Sequence, residues 1–147
     1  MSFQLDKKQR VNEILKCGKE PTYFLKSYAR ISHPLKGLIL FDTYDFQDEL
    51  LKDFNDYRFN VILKARQLGI STITAGYVVW LMLFHRDKSI LVMATKFAVA
   101  GNLVKKVKNI IRNLPDWLRM ATIRVDNRNS FELSNGSSIK AASTSGD

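Results

Sequence analysis

The segment KARQLGISTITAGY, Lys64 to Tyr77, joins a short run rich in β-branched residues to a longer apolar one. A phosphate-binding loop has the pattern G-x-x-x-x-G-K-[ST], in a turn that leaves a buried strand and opens a helix. Here Gly69 is followed by Ile70 where the lysine should stand, and then by Ser71 and Thr72. Unpaired N–H groups at a helix N-terminus, together with the helix dipole, favour a phosphate there. Glycine at position 69 lets the backbone approach it closely. Ser71 can offer a hydroxyl to Mg²⁺, with Thr72 as the next candidate. Two cations can replace a lysine at position 70: Lys64, which opens the loop and can reach the same oxygens from its other end, and Arg66. An ordinary strand-to-helix turn with a capping serine has the same local pattern, so the surroundings must discriminate.

The surroundings favour the loop. RFNVILKA, Arg58 to Ala65, suits a strand buried on both faces. Ser71 to Phe84 follows as a helix buried nearly all round. Its apolar part, AGYVVWLMLF, stops at His85-Arg86-Asp87-Lys88, short of the roughly 18 residues of a membrane span. SILVMAT, Ser89 to Thr95, is a second buried strand, and Ala98 to Asn113 is an amphipathic helix that ends before Pro115. Strand, loop, helix, strand, helix is the order of a parallel α/β sheet with right-handed crossovers. In FELSNGSSIKAAS, Phe131 to Ser143, the Asn135-Gly136 pair predicts a hairpin turn between two alternating runs. Upstream, Asp6 to Lys16 has helical periodicity with Gly18 as its stop, and a short helix follows Pro21. ISHPLKGLILFDTYDF reads as extended chain around Pro34 and Gly37. Asp45 can cap a helix over Phe46 to Asn55. A boundary near Leu40 separates a helical and extended segment, residues 1–40, from a core, residues 41–147.

Composition narrows the setting. The 147 residues are 46% hydrophobic, enough for one domain with a buried core. No secretory signal pattern is visible at the N-terminus, and the cytoplasm is the default. Cys17 is the single cysteine; it can form neither an internal disulfide nor a thiolate cluster and reads as an inert thiol. A net charge of +9, from 23 basic against 14 acidic residues, favours polyanions as partners. His33 and His85 lack ligand-like spacing and receive no chemistry.

Taken together, these motifs resemble a known family. ARQLGIST, Ala65 to Thr72, is similar to the Walker A region of the large terminase subunits of tailed phages, the ATP-driven DNA-packaging motors. Its T-even-like members carry an RQLGK core, and others place the lysine at the opening of the loop. HPLKGLILFDTYDFQ resembles the segment ahead of the loop, YDFQ the adenine-side glutamine motif, and SILVMAT the strand that follows. LPDWL and FELSNGSSI resemble downstream insertions. The resemblance runs from about Tyr28 to the C-terminus. It implies a P-loop NTPase fold of the RecA-like (ASCE) type, with a parallel sheet flanked by helices, incomplete here, preceded by a helical segment and closed by a β-hairpin. It implies ATP and Mg²⁺ as cofactors, held by Gln47 and by Lys64, Ala65, Arg66, Gln67, Leu68, Gly69, Ile70, Ser71 and Thr72. Gln47 would read the adenine edge, and Tyr44 or Phe46 would pack on the base. Lys64 would bind phosphate, Ser71 the metal, and Arg66 would act catalytically by stabilising charge on the transferred phosphoryl group.

By the same resemblance, the partners would be viral double-stranded DNA, the portal protein and a small terminase subunit. The full-length protein would form a homo-oligomeric ring in the host cytoplasm, transiently at the procapsid portal, absent from the mature virion and without a membrane. In the family an apolar strand ending in Asp-Glu follows the segment matching STSGD, Ser143 to Asp147. No apolar run here ends in adjacent acids, and Asp48-Glu49 precedes the loop. The expectation is an N-terminal portion that ends before its Walker B strand and the nuclease domain, and that binds nucleotide without turning it over. Asp147 receives no metal role. Two alternatives stay open. One is a helicase-like ATPase acting on nucleic acid. The other is a non-catalytic DNA-binding fragment whose basic helix face carries Lys96, Lys105, Lys106, Lys108 and Arg112.

Overall fold

Residues 5–145 are described by a computed structural model. The chain opens with α1 (Lys7–Lys19), whose N-terminus is closed reciprocally. Asp6 Oδ1 accepts from Gln9 N at 2.8 Å, and Gln9 Oε1 accepts from Asp6 N at 2.8 Å. Gly18, expected to end this helix, lies inside it. A Cβ there would come within 3.1 Å of the Phe84 ring, so this glycine serves close packing. The break comes instead at Pro21, which starts α2 (Pro21–Tyr28).

The extended segment around Pro34 forms a hairpin, β1 (Arg30–His33) with β2 (Gly37–Leu40), paired antiparallel from Arg30↔Leu40 to His33↔Gly37. Next comes α3 (Asp45–Asp56), and after the loop α4 (Ile70–Phe84), on which Ile73, Ala75, Gly76, Val78, Val79, Trp80, Met82 and Leu83 are buried. Then follow β3 (Ser89–Ala94), α5 (Phe97–Arg112), β4 (Ile123–Asp126), β5 (Ser130–Leu133) and β6 (Ser138–Ser143). The last four strands form one mixed sheet in the order β3-β6-β5-β4. In it β3 runs parallel to β6, and the other two pairings are antiparallel. Gly136, at φ 83°, makes the turn between β5 and β6 at the expected Asn135-Gly136 pair. Gly146 and Asp147, the end of the STSGD match, lie outside the described residues.

One expected strand is not formed. Arg58 to Ala65 forms no regular element and has no ladder partner among the described residues, and Val61 and Leu63 are 101% and 102% exposed. An apolar run of this kind becomes a central strand only where neighbours cover both its edges and both its faces. None of the described strands pairs with it.

Helix α5 packs on β3 and β6, and α4 packs in turn on α5, with α2 and α3 beyond it. A single apolar cluster runs through these layers, from Phe24, Leu25 and Leu51 through Val79 and Met82 to Ile110, Phe131 and Ile139. Polar ties fix the layers. Trp80 Nε1 donates to Cys17 O at 2.9 Å and Tyr77 OH to Phe54 O at 3.1 Å. Asn135 Nδ2 donates to Met82 O at 2.7 Å, tying the β5–β6 turn to the end of α4. These contacts fix the middle and the C-terminal end of α4 against the elements around it.

Candidate functional site

The loop ahead of α4 owes its shape to two residues with positive φ, Gln67 at 62° and Gly69 at 71°. Gly69 is the N-cap of α4, and its carbonyl accepts from Thr72 N at 3.1 Å and Ile73 N at 2.9 Å. The N–H groups of Ile70 and Ser71 have no protein acceptor among the described residues, as the opening of a helix dictates. Glycine is required at position 69 on two counts. The backbone is left-handed, and a Cβ would lie 2.6 Å from Gln47 Nε2.

Gln47 is the brace of this loop. It is 2% exposed, and its Nε2 donates to Leu68 O at 3.0 Å while its Oε1 accepts from Tyr44 N at 3.1 Å. One N–H and one lone pair of the amide are left over, so Gln47 holds the loop before it could meet any ligand. Beside it Tyr44 and Phe46 are exposed and nearly parallel, with an interplanar angle of 7° and centroids 5.8 Å apart.

Between the β1–β2 hairpin and the loop lies a cleft of about 380 Å³, which Gln47, Gln67, Leu68, Gly69 and Thr72 help to line, with Tyr44 at its edge. These are the expected site residues that the structure brings together. Lys64, Ala65, Arg66, Ile70 and Ser71 do not line it. Lys64, Arg66 and Ser71 are exposed, and their side chains make no hydrogen bond among the described residues. Two groups without an expected role also line it, His33, to which its spacing assigned no chemistry, and Lys36 of the hairpin. His33 Nδ1 accepts from Leu35 N and Lys36 N, both at 3.2 Å, an arrangement that requires this nitrogen to be unprotonated. The basic and imidazole side chains in SHPLKG were the available signal, but only pairing of β1 with β2 turns them towards the loop.

Lys106 adds a further cation. From α5 its Nζ donates to Thr72 Oγ1 at 3.0 Å, in the first turn of α4. The described residues include no group of three or more His, Cys, Asp or Glu suited to a metal. Ser71 alone fits Mg²⁺ only where phosphate oxygens and water complete the shell, which is the ion's usual habit.

The basic face expected on α5 is divided. Lys106 turns to Thr72. Lys108 is 8% exposed, with its Nζ 2.9 Å from Asp126 Oδ1 and also donating to Asn127 O. Arg112 pairs with the other oxygen of Asp126. These two cations, Lys108 foremost, hold the Asp126 carboxyl below its ordinary range. Lys96 and Lys105 remain exposed and unpaired among the described residues.

No family model matches the chain. Among solved structures, it is similar to the large terminase of HK97 bacteriophage, with a TM-score of 0.66 at 16% sequence identity. The match takes in 88% of this chain and 28% of that one, so the chain spans a little over a quarter of the neighbour's length. The fold is therefore the α/β fold found in that large terminase, with a mixed sheet and five helices among the described residues.

Proposed function

We propose that this chain is the nucleotide-holding part of a terminase-like, DNA-packaging ATPase. The observation that carries the reading is the braced loop, in which buried Gln47 holds Leu68 O and left-handed Gly69 opens the 15-residue helix α4. A polyphosphate would meet the N–H groups of Ile70 and Ser71 and the positive end of the helix dipole. Lys64 and Arg66, free of ion pairs among the described residues, would close on it from the start of the loop, answering for the missing lysine at position 70. Mg²⁺, when bound, neutralises charge between phosphate oxygens, and Ser71 would supply its one protein ligand. Tyr44 and Phe46 offer faces on which a base can stack. The activity proposed for these residues is nucleotide binding.

The loop sequence RQLG supports the T-even-like subtype, and the likeness to a large terminase supports packaging of viral DNA as the work of the whole protein. On that reading the partners are double-stranded DNA, a portal protein, a small terminase subunit and further copies in a ring, in the host cytoplasm. The test is titration of a fluorescent ATP analogue with Mg²⁺ into the wild type, Lys64→Ala and Lys64→Arg. Binding by the wild type and Lys64→Arg, lost in Lys64→Ala, supports the reading. Equal binding by all three sinks the Lys64 assignment, and none by a folded wild type sinks the nucleotide site.

A further inference from the structure

Beside α5 lies a groove of about 620 Å³, bounded by that helix and by the turn from β4 to β5. Ala98 and Gly101 keep its floor low, and a Cβ on Gly101 would meet nothing nearer than the Phe97 ring at 4.0 Å. Its walls carry Lys105, Lys108 and Arg112 from the helix and Arg128 from the turn, against one acid, Asp126. That acid is already neutralised by Lys108 and Arg112, so the trio keeps a net positive charge. Lys105 and Arg128 are exposed and bonded to nothing among the described residues. The turn that presents Arg128 is fixed, because Asn127 Oδ1 accepts from Asn129 N at 3.0 Å and from Ser130 N at 2.8 Å.

We propose that this groove is a contact site for the phosphate backbone of duplex DNA. Lys105 and Arg112 lie on one face of α5, about 10 Å apart along its axis at ~1.5 Å per residue. One strand advances roughly 3.4 Å per phosphate along the duplex axis, so this row, laid along that axis, would cover about three phosphate steps. Single strands are usually held by aromatic platforms on which the bases stack. This groove has only Phe97, which is half-buried, and that favours the duplex backbone over unpaired bases. The choice of DNA rests on the packaging reading, but no loop residue lines the groove, so the two sites can fail separately.

The experiment is a fluorescence-anisotropy titration of a labelled 30-base-pair duplex at several KCl concentrations. It compares the wild type, Lys105→Glu with Arg128→Glu, and a control of equal charge, Lys7→Glu with Lys8→Glu, on exposed positions of α1. At one salt concentration the groove pair should bind at least 10-fold more weakly than the control. The slope of log affinity against log salt should be shallower by about two, one for each lost phosphate contact. The milder pair, Lys105→Ala with Arg128→Ala, should keep the same order with a smaller loss. Binding of the fluorescent ATP analogue should be unchanged in all of them. Equal weakening of groove and control variants would mean that net charge alone is at work and would overturn the site. Absence of duplex binding by the wild type would overturn it too.

Discussion

Gln47 Nε2 lies 3.0 Å from Leu68 O, 21 residues away in the chain, and this single bond ties the start of α3 to the loop before α4. Replacing Gln47 with Leu leaves Leu68 O and Tyr44 N without their partner. Both bonds are part-buried, so the expected loss is about 0.5–1.5 kcal/mol for each. Gln47→Glu should be worse near neutral pH, because its carboxylate faces the Leu68 oxygen and cannot donate to it. Thermal unfolding of both variants, followed by circular dichroism, checks the order.

Gly69→Ala should cost about 1–2 kcal/mol from the left-handed backbone alone, and more because the new methyl displaces Gln47. The double variant Gly69→Ala with Gln47→Ala should then lose less than the sum of the two single changes. A double-mutant cycle reads this directly, and strict additivity would show that the methyl does not reach the amide.

Arg66 is exposed and unbonded among the described residues, so Arg66→Ala should leave the melting temperature within about 0.5 kcal/mol of the wild type in equivalent terms. If the loop takes a polyphosphate, the same change should weaken MgATP-analogue binding several-fold. Calorimetry and thermal unfolding on one preparation separate the two effects.

Much of this site follows from local sequence. The helix that opens after Gly69 and the Asn135-Gly136 turn each depend on a few neighbouring residues, and each occurs where the residues place it. The strand over Arg58–Ala65 does not, because a strand needs a neighbour and the apolar pattern records only the capacity to pair. Gly18 misleads for a related reason: its lack of a side chain serves the approach of Phe84, 66 positions later in the sequence, and is no signal to stop. His33, Lys36 and Lys106 were hidden because their nearness to the loop is created by the hairpin and by α5 packing on α4.

Asp126 gives the chain a pH-sensitive tie. Its folded carboxyl is held below the unfolded value, first by Lys108 and then by Arg112. The stabilisation is therefore present above an unfolded value of about 4 and is lost as pH falls through the lower folded one. Asp126→Asn should destabilise the protein at pH 7 and make little difference near pH 2. Denaturant unfolding at the two pH values tests this, and an equal deficit at both would assign the effect to packing.

Cys17 is fully buried, and that burial, with Glu13 next, pushes its thiol up to about 12. Thiolate is the reactive form, so an aromatic disulfide reagent should label Cys17 only as fast as the fold opens. Labelling in denaturant should be faster by orders of magnitude. Fast labelling of the native protein would show that α1 lifts away from Trp80.

The exposed FNVIL segment, Phe59 to Leu63, has a consequence for handling the molecule in solution. It holds β-favouring apolar residues, no charge and no proline, the composition from which sticky cross-strand assemblies nucleate. Arg58 and Lys64 stand at its two ends as charged gatekeepers. Lys64 would then have two duties, one towards a phosphate and one towards other copies of the chain. Lys64→Ala should scatter light at lower protein concentration than Lys64→Arg, whether or not nucleotide is present, so colloidal behaviour and ligand affinity would be altered by the same side chain.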